Sequence, residues 1–530
     1  MSGAVSAATP VLAVGPTLFT GDLRPRLLAA LSGTLYFLGF AGFDVWPLSF
    51  VAIVPLLLAL EGQTPKKAAQ LGLICGTAMN LGGFYWLLTM LKTFSGFPTA
   101  LCLVFTLIVC AFQGGRLALT GWLYGRARAR GWGMGPYRYL VFGGAFVAGE
   151  LIYPVLFPWY FGASVHQVPM FTQVADLGGP VLIGLVLLAF NAAIAEWLIA
   201  KLERRGPHKR VLQGGFGITL ASVLYGLLRI YQTDARVAAA PALHVGVVQG
   251  NLGLMQKRED PNEGLRRHKR LTAELKQKGV ELVVWSESSV TFAVPEEITN
   301  NFMRDRVAGS LGIPSIFGGV LFRVDPDRER WYNVALAADA KGEVQSRYDK
   351  HYLLMFGEYL PLGDTFPILY KWSPNSGKFT SGTDVKPLVV ETGGKKHNVT
   401  ALICYEDILP GFTNDAVRVG DPELLVNITN DAWFGDSTEP WEHLALAKFR
   451  AIEHRRYLVR STNSGVSAII DPVGRTVAQT KTFEAATADA TVHYLRSTTV
   501  YELIGDKLWY MWAFGAIVIA FRARKGKETT

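Results

Sequence analysis

Cysteine and charge are the scarce components of this chain. Its 530 residues include four cysteines, and charged side chains make up 18% against 50% hydrophobic. Cys75, Cys102 and Cys110 lie in long apolar stretches, which leaves Cys404 as the sole thiol of a polar block between 231 and 503. That thiol has no local disulfide partner, and no CxxC or histidine spacing around it suits a metal. So little charge in so long a chain excludes an ordinary soluble protein and points to a membrane protein carrying a polar domain. Residues 1–23 contain no Lys or Arg, so the basic leader of a cleavable signal peptide is missing and the first span is expected to be an uncleaved anchor. Neither internal repeats nor low-complexity segments are present.

What is there is organised by hydropathy. Apolar runs predict about eight spans, at 27–44, 46–62, 70–92, 99–122, 138–157, 179–201, 211–230 and 504–522. Basic residues collect in alternate connections. Arg24 and Arg26 precede the first span, and Lys66 and Lys67 follow the second. Arg126, Arg128, Arg130 and Arg138 separate the fourth from the fifth, and Lys201, Arg204, Arg205, Lys209 and Arg210 the sixth from the seventh. Arg522, Arg524, Lys525 and Lys527 close the chain, whereas Lys92 is alone between the third and fourth spans and 158–178 has none. The positive-inside rule then places both termini in the cytoplasm and the 231–503 block outside. The expected domains are a bundle over 1–230, a catalytic domain over 231–503, and a last helix with a basic tail over 504–530. The net charge of +9 is a topology signal and gives no case for nucleic acid. Arg116 and Glu150, near membrane depth, are functional candidates in general.

In the polar block, β-rich runs at 245–249, 281–285, 315–320, 332–336, 399–404 and 424–429 alternate with helical patterns at 262–278 and 440–456. A hairpin closes at Asp471-Pro472-Val473-Gly474. This order predicts a layered α/β sandwich. Three reactive side chains each follow a predicted strand: Glu287 after Val283-Val284-Trp285-Ser286, Lys350 after Val344–Asp349, and Cys404 after Val399–Ile403. Strand ends distant in sequence can converge at one edge of a sandwich. A free thiol, with a pKa near 8.5, is only a few per cent thiolate at neutral pH. A carboxylate can take its proton, and an ammonium can stabilise first the thiolate and then an oxyanion. His443 and His454 share a predicted helix at a spacing unsuited to one metal and are expected to be structural.

The pattern Trp285-Ser286-Glu287, Tyr348 to Pro361, Ile403-Cys404-Tyr405-Glu406, Asn430-Asp431-Ala432-Trp433-Phe434-Gly435 and Ser461 to Val466 resembles the nitrilase superfamily. With spans on both sides, the chain is similar to its membrane-integrated apolipoprotein N-acyltransferase family. That resemblance implies a nitrilase-like αββα sandwich mounted on the bundle, on the periplasmic face of a bacterial inner membrane. Cys404 is then the nucleophile, Glu287 the general base and Lys350 the oxyanion and charge stabiliser. Glu358, Tyr405, Glu406 and Trp433 match supporting or substrate-binding positions. The implied reaction is ping-pong. An acyl chain passes from a phospholipid, typically phosphatidylethanolamine, to Cys404, and then to the α-amine of a diacylated apolipoprotein; neither cofactor nor metal is required. A membrane-anchored amidase hydrolysing a small amide is the alternative implied by the same triad. The sequence departs from the family at Ser286, where Pro is usual, and at Arg258, where a Trp can stand. Apolar segments Tyr352–Phe356 and Phe366–Trp372 are either membrane-facing arms or core.

Overall fold

Alternation along the strands decides how the polar block layers. In the computed structural model, which describes residues 21–253, 260–372 and 376–523, every residue of Leu282–Trp285 is buried. Leu282 and Val284 point into one core, Val283 and Trp285 into another. Successive side chains take opposite faces of a strand, so a run apolar at every position must be covered on both sides. The chain supplies β1 (Ala242–Gln249), β2 (Leu282–Trp285), β3 (Ala293–Pro295), β4 (Ser315–Val324), β5 (Glu329–Ala338) and β6 (Val344–Asp349) to one sheet. It then supplies β7 (Leu388–Thr392), β8 (Lys395–Ile403), β9 (Leu424–Thr429), β10 (Leu458–Thr462), β11 (Ala468–Ile470) and β12 (Thr476–Gln479) to a second, and returns β13 (Ala486–His493) to the first. The orders are β13-β1-β2-β4-β5-β6, with β3 beside β4, and β12-β11-β10-β9-β8-β7.

Parallel pairs (β1 with β2, β2 with β4, β8 with β9, β9 with β10) occupy the centre of each sheet, and antiparallel strands flank them. Val245, Val247 and Val284 meet Ala401, Ile403, Val426 and Val459 between the sheets. The amphipathic helix Pro261–Gln277 covers the outside of the first sheet through Leu271 and Leu275. Helices Pro410–Gly420 and Glu439–His454 cover the second through Val417, Leu444, Ala447 and Ala451. The result is an α/β sandwich of four layers.

The N-terminal region is helical. Thr99–Ala129, Ala175–Leu202 and Lys209–Ala238 are long and apolar enough to cross a bilayer, and a fourth span exists if Pro65–Gly83 and Leu87–Thr93, bent by 62°, count as one. The runs expected at 27–44 and 138–157 hold 15-residue helices, Leu23–Phe37 and Arg138–Ile152; at 1.5 Å per residue each is about 22 Å long, shorter than a hydrocarbon core of about 30 Å. The run at 46–62 is broken into Trp46–Phe50 and Val54–Leu60, and the C-terminal run is the helix Lys507–Phe521. Helix Lys209–Ala238 continues eight residues past 230 before β1 begins at Ala242. Small residues let helices meet backbone to backbone: a Cβ on Gly76 would collide with the main chain of Gly114. Arg258, Arg524, Lys525 and Lys527 lie outside the described residues.

Candidate functional site

β8 ends at Ile403, and Cys404 takes a left-handed backbone, φ 53°, before the short turn Cys404–Ile408. Such a conformation is costly for a side chain with a Cβ and persists only where the surroundings enforce it. Glu406 enforces it. Its carboxylate accepts from the Ile403 N–H at 2.8 Å, from the N–H groups of His351 at 2.6 Å and Tyr352 at 3.0 Å, and from the Tyr348 hydroxyl at 2.8 Å. One buried acid thus locks the thiol-bearing turn to the end of β6, where Lys350 sits. Asn427 on β9 adds a donor to the carbonyl of Leu402 at 3.1 Å.

Glu287 lies just beyond β2, and Gly318 on the neighbouring β4 permits this: a Cβ there would stand 2.8 Å from the Glu287 Cα. Ser286 is buried, with its hydroxyl 3.4 Å from His268 Nε2. Lys350 Nζ lies 2.8 Å from Glu358 Oε2 and 3.5 Å from Glu287 Oε1, with 1% of its side chain exposed. Asn333 on β5 also binds both acids, donating to Glu287 Oε1 at 2.6 Å and Glu358 Oε1 at 2.9 Å. Glu358 also accepts from the Leu354 N–H at 2.8 Å. The structure therefore brings Glu287, Lys350, Glu358 and Cys404 together from three separate segments, after β2, after β6 and after β8.

The charges decide protonation. Burial drives the Cys404 thiol well above its ordinary range; Glu287 pushes it further, and Lys350 opposes both. Burial alone would lower the Lys350 pKa, but Glu358 and Glu287 overcome it, so the ammonium is held well above its usual range. The resting site is a neutral thiol beside a fixed cation and two carboxyls. Such a thiol reacts only when an adjacent base removes its proton.

Beneath the turn is a buried ionic cluster. His443 lies between Asp407, at 2.8 Å, and Asp431, at 3.0 Å, and Arg460 donates to Asp407 at 2.6 Å and Asp431 at 3.2 Å. Burial and Arg460 act against protonation of His443, yet the two aspartates raise its pKa to about 10. A cavity of about 40 Å³ opens beside Cys404, walled by Tyr405 and Phe434 and, from the helical region, by Phe84, Trp86, Phe157 and Trp159. Tyr405 docks across that boundary, donating to the Leu156 carbonyl at 3.1 Å.

Of the supporting positions, Glu358 touches Lys350, Glu406 orients the turn from full burial, and Tyr405 lines the cavity. Trp433 is 37% exposed, and it is the next residue, Phe434, that reaches the cavity. In the apolar segments, Tyr352, Met355, Phe356, Phe366 and Ile368 are exposed, while Leu354 lines the cavity. Arg116 is buried and donates to the Trp159 carbonyl at 2.6 Å, while Glu150 accepts from the Phe161 N–H at 2.8 Å. Sequence reasoning missed Asn333, whose one signal is an amide within the apolar run Tyr332–Leu336, and the pairing of Asp407 and Asp431 through His443 and Arg460, which has none.

Residues 244–499 match the carbon-nitrogen hydrolase family model, and residues 32–193 match the apolipoprotein N-acyltransferase N-terminal domain. The chain is 30% identical over 518 residues to an apolipoprotein N-acyltransferase of Geobacter metallireducens, covering 95% of this chain and 96% of that one. It is 28% identical to the protein of the same description in Vibrio cholerae, covering 95% and 98%. Among solved structures, an amidase from Nesterenkonia sp. aligns with 51% of this chain and 96% of its own at 21% identity and a TM-score of 0.37.

Proposed function

The chain belongs to the apolipoprotein N-acyltransferase family, and from that membership we propose that it transfers a fatty acyl chain from a phospholipid to the N-terminal α-amine of a diacylglyceryl-cysteine lipoprotein. The observation that carries the chemistry is the convergence of Glu287, Lys350 and Glu358 on a thiol held in a strained turn. In the first half-reaction Glu287 takes the Cys404 proton, the sulfur attacks the ester carbonyl, and Lys350 balances the oxyanion. Collapse expels the lysophospholipid alkoxide, which takes the proton from Glu287, and leaves an acyl thioester. In the second, the acceptor amine attacks that thioester and Cys404 is regenerated. Asn333 and Glu358 hold the acid and the ammonium in register, and Glu406 fixes the nucleophile turn.

Phosphatidylethanolamine is our proposed donor. We read 1–230 as the bundle, 231–503 as the catalytic domain and 504–530 as a last helix with a basic tail. Both termini lie in the cytoplasm and the catalytic domain faces the periplasm of a bacterial inner membrane, with about eight segments in the bilayer. Four points support a membrane-level site: the aromatic wall contributed by Phe84, Trp86, Phe157 and Trp159, the exposed side chains of Tyr352, Met355, Phe356, Leu362, Phe366 and Ile368, the apolar helices and the alternation of basic connections. An acyl chain that stays in lipid while its ester reaches Cys404 avoids about 0.8 kcal/mol of exposure per CH₂. Matches to both regions of full-length N-acyltransferases favour transfer to an amine over amide hydrolysis.

The deciding experiment follows a labelled acyl group from phospholipid vesicles to a synthetic diacylglyceryl-cysteine peptide. Wild type should gain one hydroxylamine-sensitive acyl mass and then pass it to the peptide. Cys404→Ala should do neither, because the other three cysteines lie buried within the helical region. Acylation that persists in Cys404→Ala removes the nucleophile from this scheme.

A further inference from the structure

Glu439 is a buried acid that the scheme above leaves without a task. It opens the helix Glu439–His454, is 7% exposed, and lines the cavity that also holds Cys404. Its Oε1 lies 3.9 Å from His443 Nδ1, beyond hydrogen-bond reach, and its Oε2 has no hydrogen-bond partner among the described residues. Its neighbour Glu442 is committed: Thr438 donates to one oxygen at 2.9 Å and the Trp86 indole to the other at 3.3 Å. A buried carboxyl oxygen without a donor is expensive, and one facing a cavity beside a nucleophile marks a place where a ligand supplies the missing group.

The site's chemistry narrows that ligand. As a carboxylate the open oxygen only accepts, so a ligand that stabilises that form is a donor. His443 shares the lining, but Phe84, Trp86, Phe157 and Phe434 present aromatic faces there, and aromatic faces beside a carboxylate suit a cation. A metal is disfavoured. Although ligand atoms of Asp431, Glu439 and His443 lie within 4.8 Å of one another, both ring nitrogens of His443 are already bonded to aspartates and carry protons. A cavity of about 40 Å³ has room for a group the size of one water and none for an acyl chain. A primary ammonium fits in charge, in donors and in size.

Resting on the transfer reaction proposed above, we infer that Glu439 binds the α-ammonium of the incoming lipoprotein N-terminus and holds it against the Cys404 thioester. An α-amine with a pKa of about 7.7–8.0 is mostly ammonium at neutral pH. Empty, the carboxyl of Glu439 is kept neutral by burial and by Asp431, against the pull of His443; an arriving ammonium restores the carboxylate and releases its proton to solvent. The bound ammonium then gives one proton to the Glu287 carboxylate. Nitrogen attacks the thioester carbon, the C–N bond forms and the C–S bond breaks. The second proton lost from nitrogen passes to the departing sulfur. The products are the amide, the Cys404 thiol and a protonated Glu287, which returns its proton to water. Glu439 is an acceptor-binding residue and takes no part in the first half-reaction.

An ethanolamine head group on the donor is also a primary ammonium, so the test separates the half-reactions and the two sources. Full-length wild type, Glu439→Gln and Glu439→Asp are given vesicles of phosphatidylethanolamine or of phosphatidylglycerol, then the diacylglyceryl-cysteine peptide. In Glu439→Gln the acyl-Cys404 burst should stay within threefold of wild type with both donors. Transfer should fall at least tenfold, with a raised KM for the peptide and accumulation of the thioester. Hydroxylamine, a neutral nucleophile at pH 7.5, should discharge that thioester at the wild-type rate. Glu439→Asp, which keeps the charge on a shorter arm, should fall between. Unchanged transfer overturns the inference, as does equal loss of burst and transfer with both donors, the mark of a structural role. A burst that falls with the ethanolamine lipid alone assigns the ammonium to the donor and overturns it too. Should Glu439→Gln fail to fold, Glu439→Asp decides: a wild-type peptide KM refutes the assignment. A wild type that forms no thioester fails one step earlier, at the transfer reaction itself, and takes this inference with it.

Discussion

Cys404 and Lys350 oppose one another electrostatically, and this separates two variants that a simple loss of activity would not. The thiol is held up by burial and by Glu287 and pulled down by Lys350. Glu287→Gln removes the carboxylate proposed as the base, and acylation near neutral pH should fall by roughly 10²–10⁴-fold. The same change removes a charge that raises the thiol, so thiolate appears at lower pH than before and the rate should recover as pH rises. Lys350→Met removes the charge that lowers the thiol, so thiolate retreats to higher pH. It also costs about 3–4 kcal/mol of transition-state stabilisation if the ammonium acts as an oxyanion donor. Pre-steady-state acylation from about pH 6.5 to 9.5 should therefore show strong alkaline rescue for Glu287→Gln and little for Lys350→Met. Equal rescue would confine Lys350 to tuning the thiol and leave the oxyanion to other donors. The sequence pointed to Glu287, Lys350 and Cys404 because each follows a strand-like run. It gave no sign that Asn333 bridges Glu287 to Glu358, since that contact exists only once β2, β5 and the loop after β6 are neighbours.

At the scale of elements, the helix Glu439–His454 carries the cavity at its first turn and a buried histidine at its last. His454 is fully buried, 3.6 Å from Glu502 and close to Arg456. Burial lowers its pKa to about 4; Glu502 acts against that shift and Arg456 with it. An unfolded histidine titrates near 6.5. The folded protein thus binds fewer protons than the unfolded chain between those values. The stability tied to neutral His454 is fully present above about pH 6.5 and is lost as pH falls toward about 4, by roughly 3 kcal/mol in total. The apparent unfolding midpoint of the detergent-solubilised protein should drop through this window, and His454→Gln should flatten the drop. An identical pH profile in the variant would assign acid sensitivity to other groups. Most strands around this helix were legible from β-branched runs. β13 was not: its alternation is weak, and it is a strand because β1 offers it an antiparallel edge over eight residue pairs.

At the scale of the whole molecule, a buried ionic junction joins the helical region to the polar domain, beside the Tyr405 and Trp86 contacts. Arg455, just past that helix, donates to Asp176 of Ala175–Leu202 at 2.7 Å and 3.1 Å and to Gln173 at 2.5 Å. Arg229 and Tyr225 reach the same carboxylate at 2.9 Å and 2.7 Å. Asp176→Ala would leave the buried guanidinium of Arg455 without its counter-ion, a loss of about 3–5 kcal/mol. We expect a lower unfolding midpoint and faster proteolysis between the helical region and β1; an unchanged midpoint would mean the apolar contacts suffice. Topology is a separate prediction. A reporter active only in the cytoplasm should be silent when fused within 231–503 and active after Arg524. The opposite pattern would put the thiol on the cytoplasmic face and withdraw the periplasmic assignment.

The sequence by itself determined the division into apolar flanks and a polar α/β block, and the three side chains around which the site is built. Hydropathy, strand alternation and a thiol at a strand end are local properties, readable without knowing what packs where. Tertiary structure alone decided how much charge the site could bury and how it is balanced. The spacing of Glu287, Lys350, Glu358 and Cys404, the clamp of Glu406 on the Cys404 turn, and the open carboxyl of Glu439 all depend on segments distant in the sequence meeting out of water. Burial and proximity set the protonation of each group, and neither is a property of any one stretch of chain.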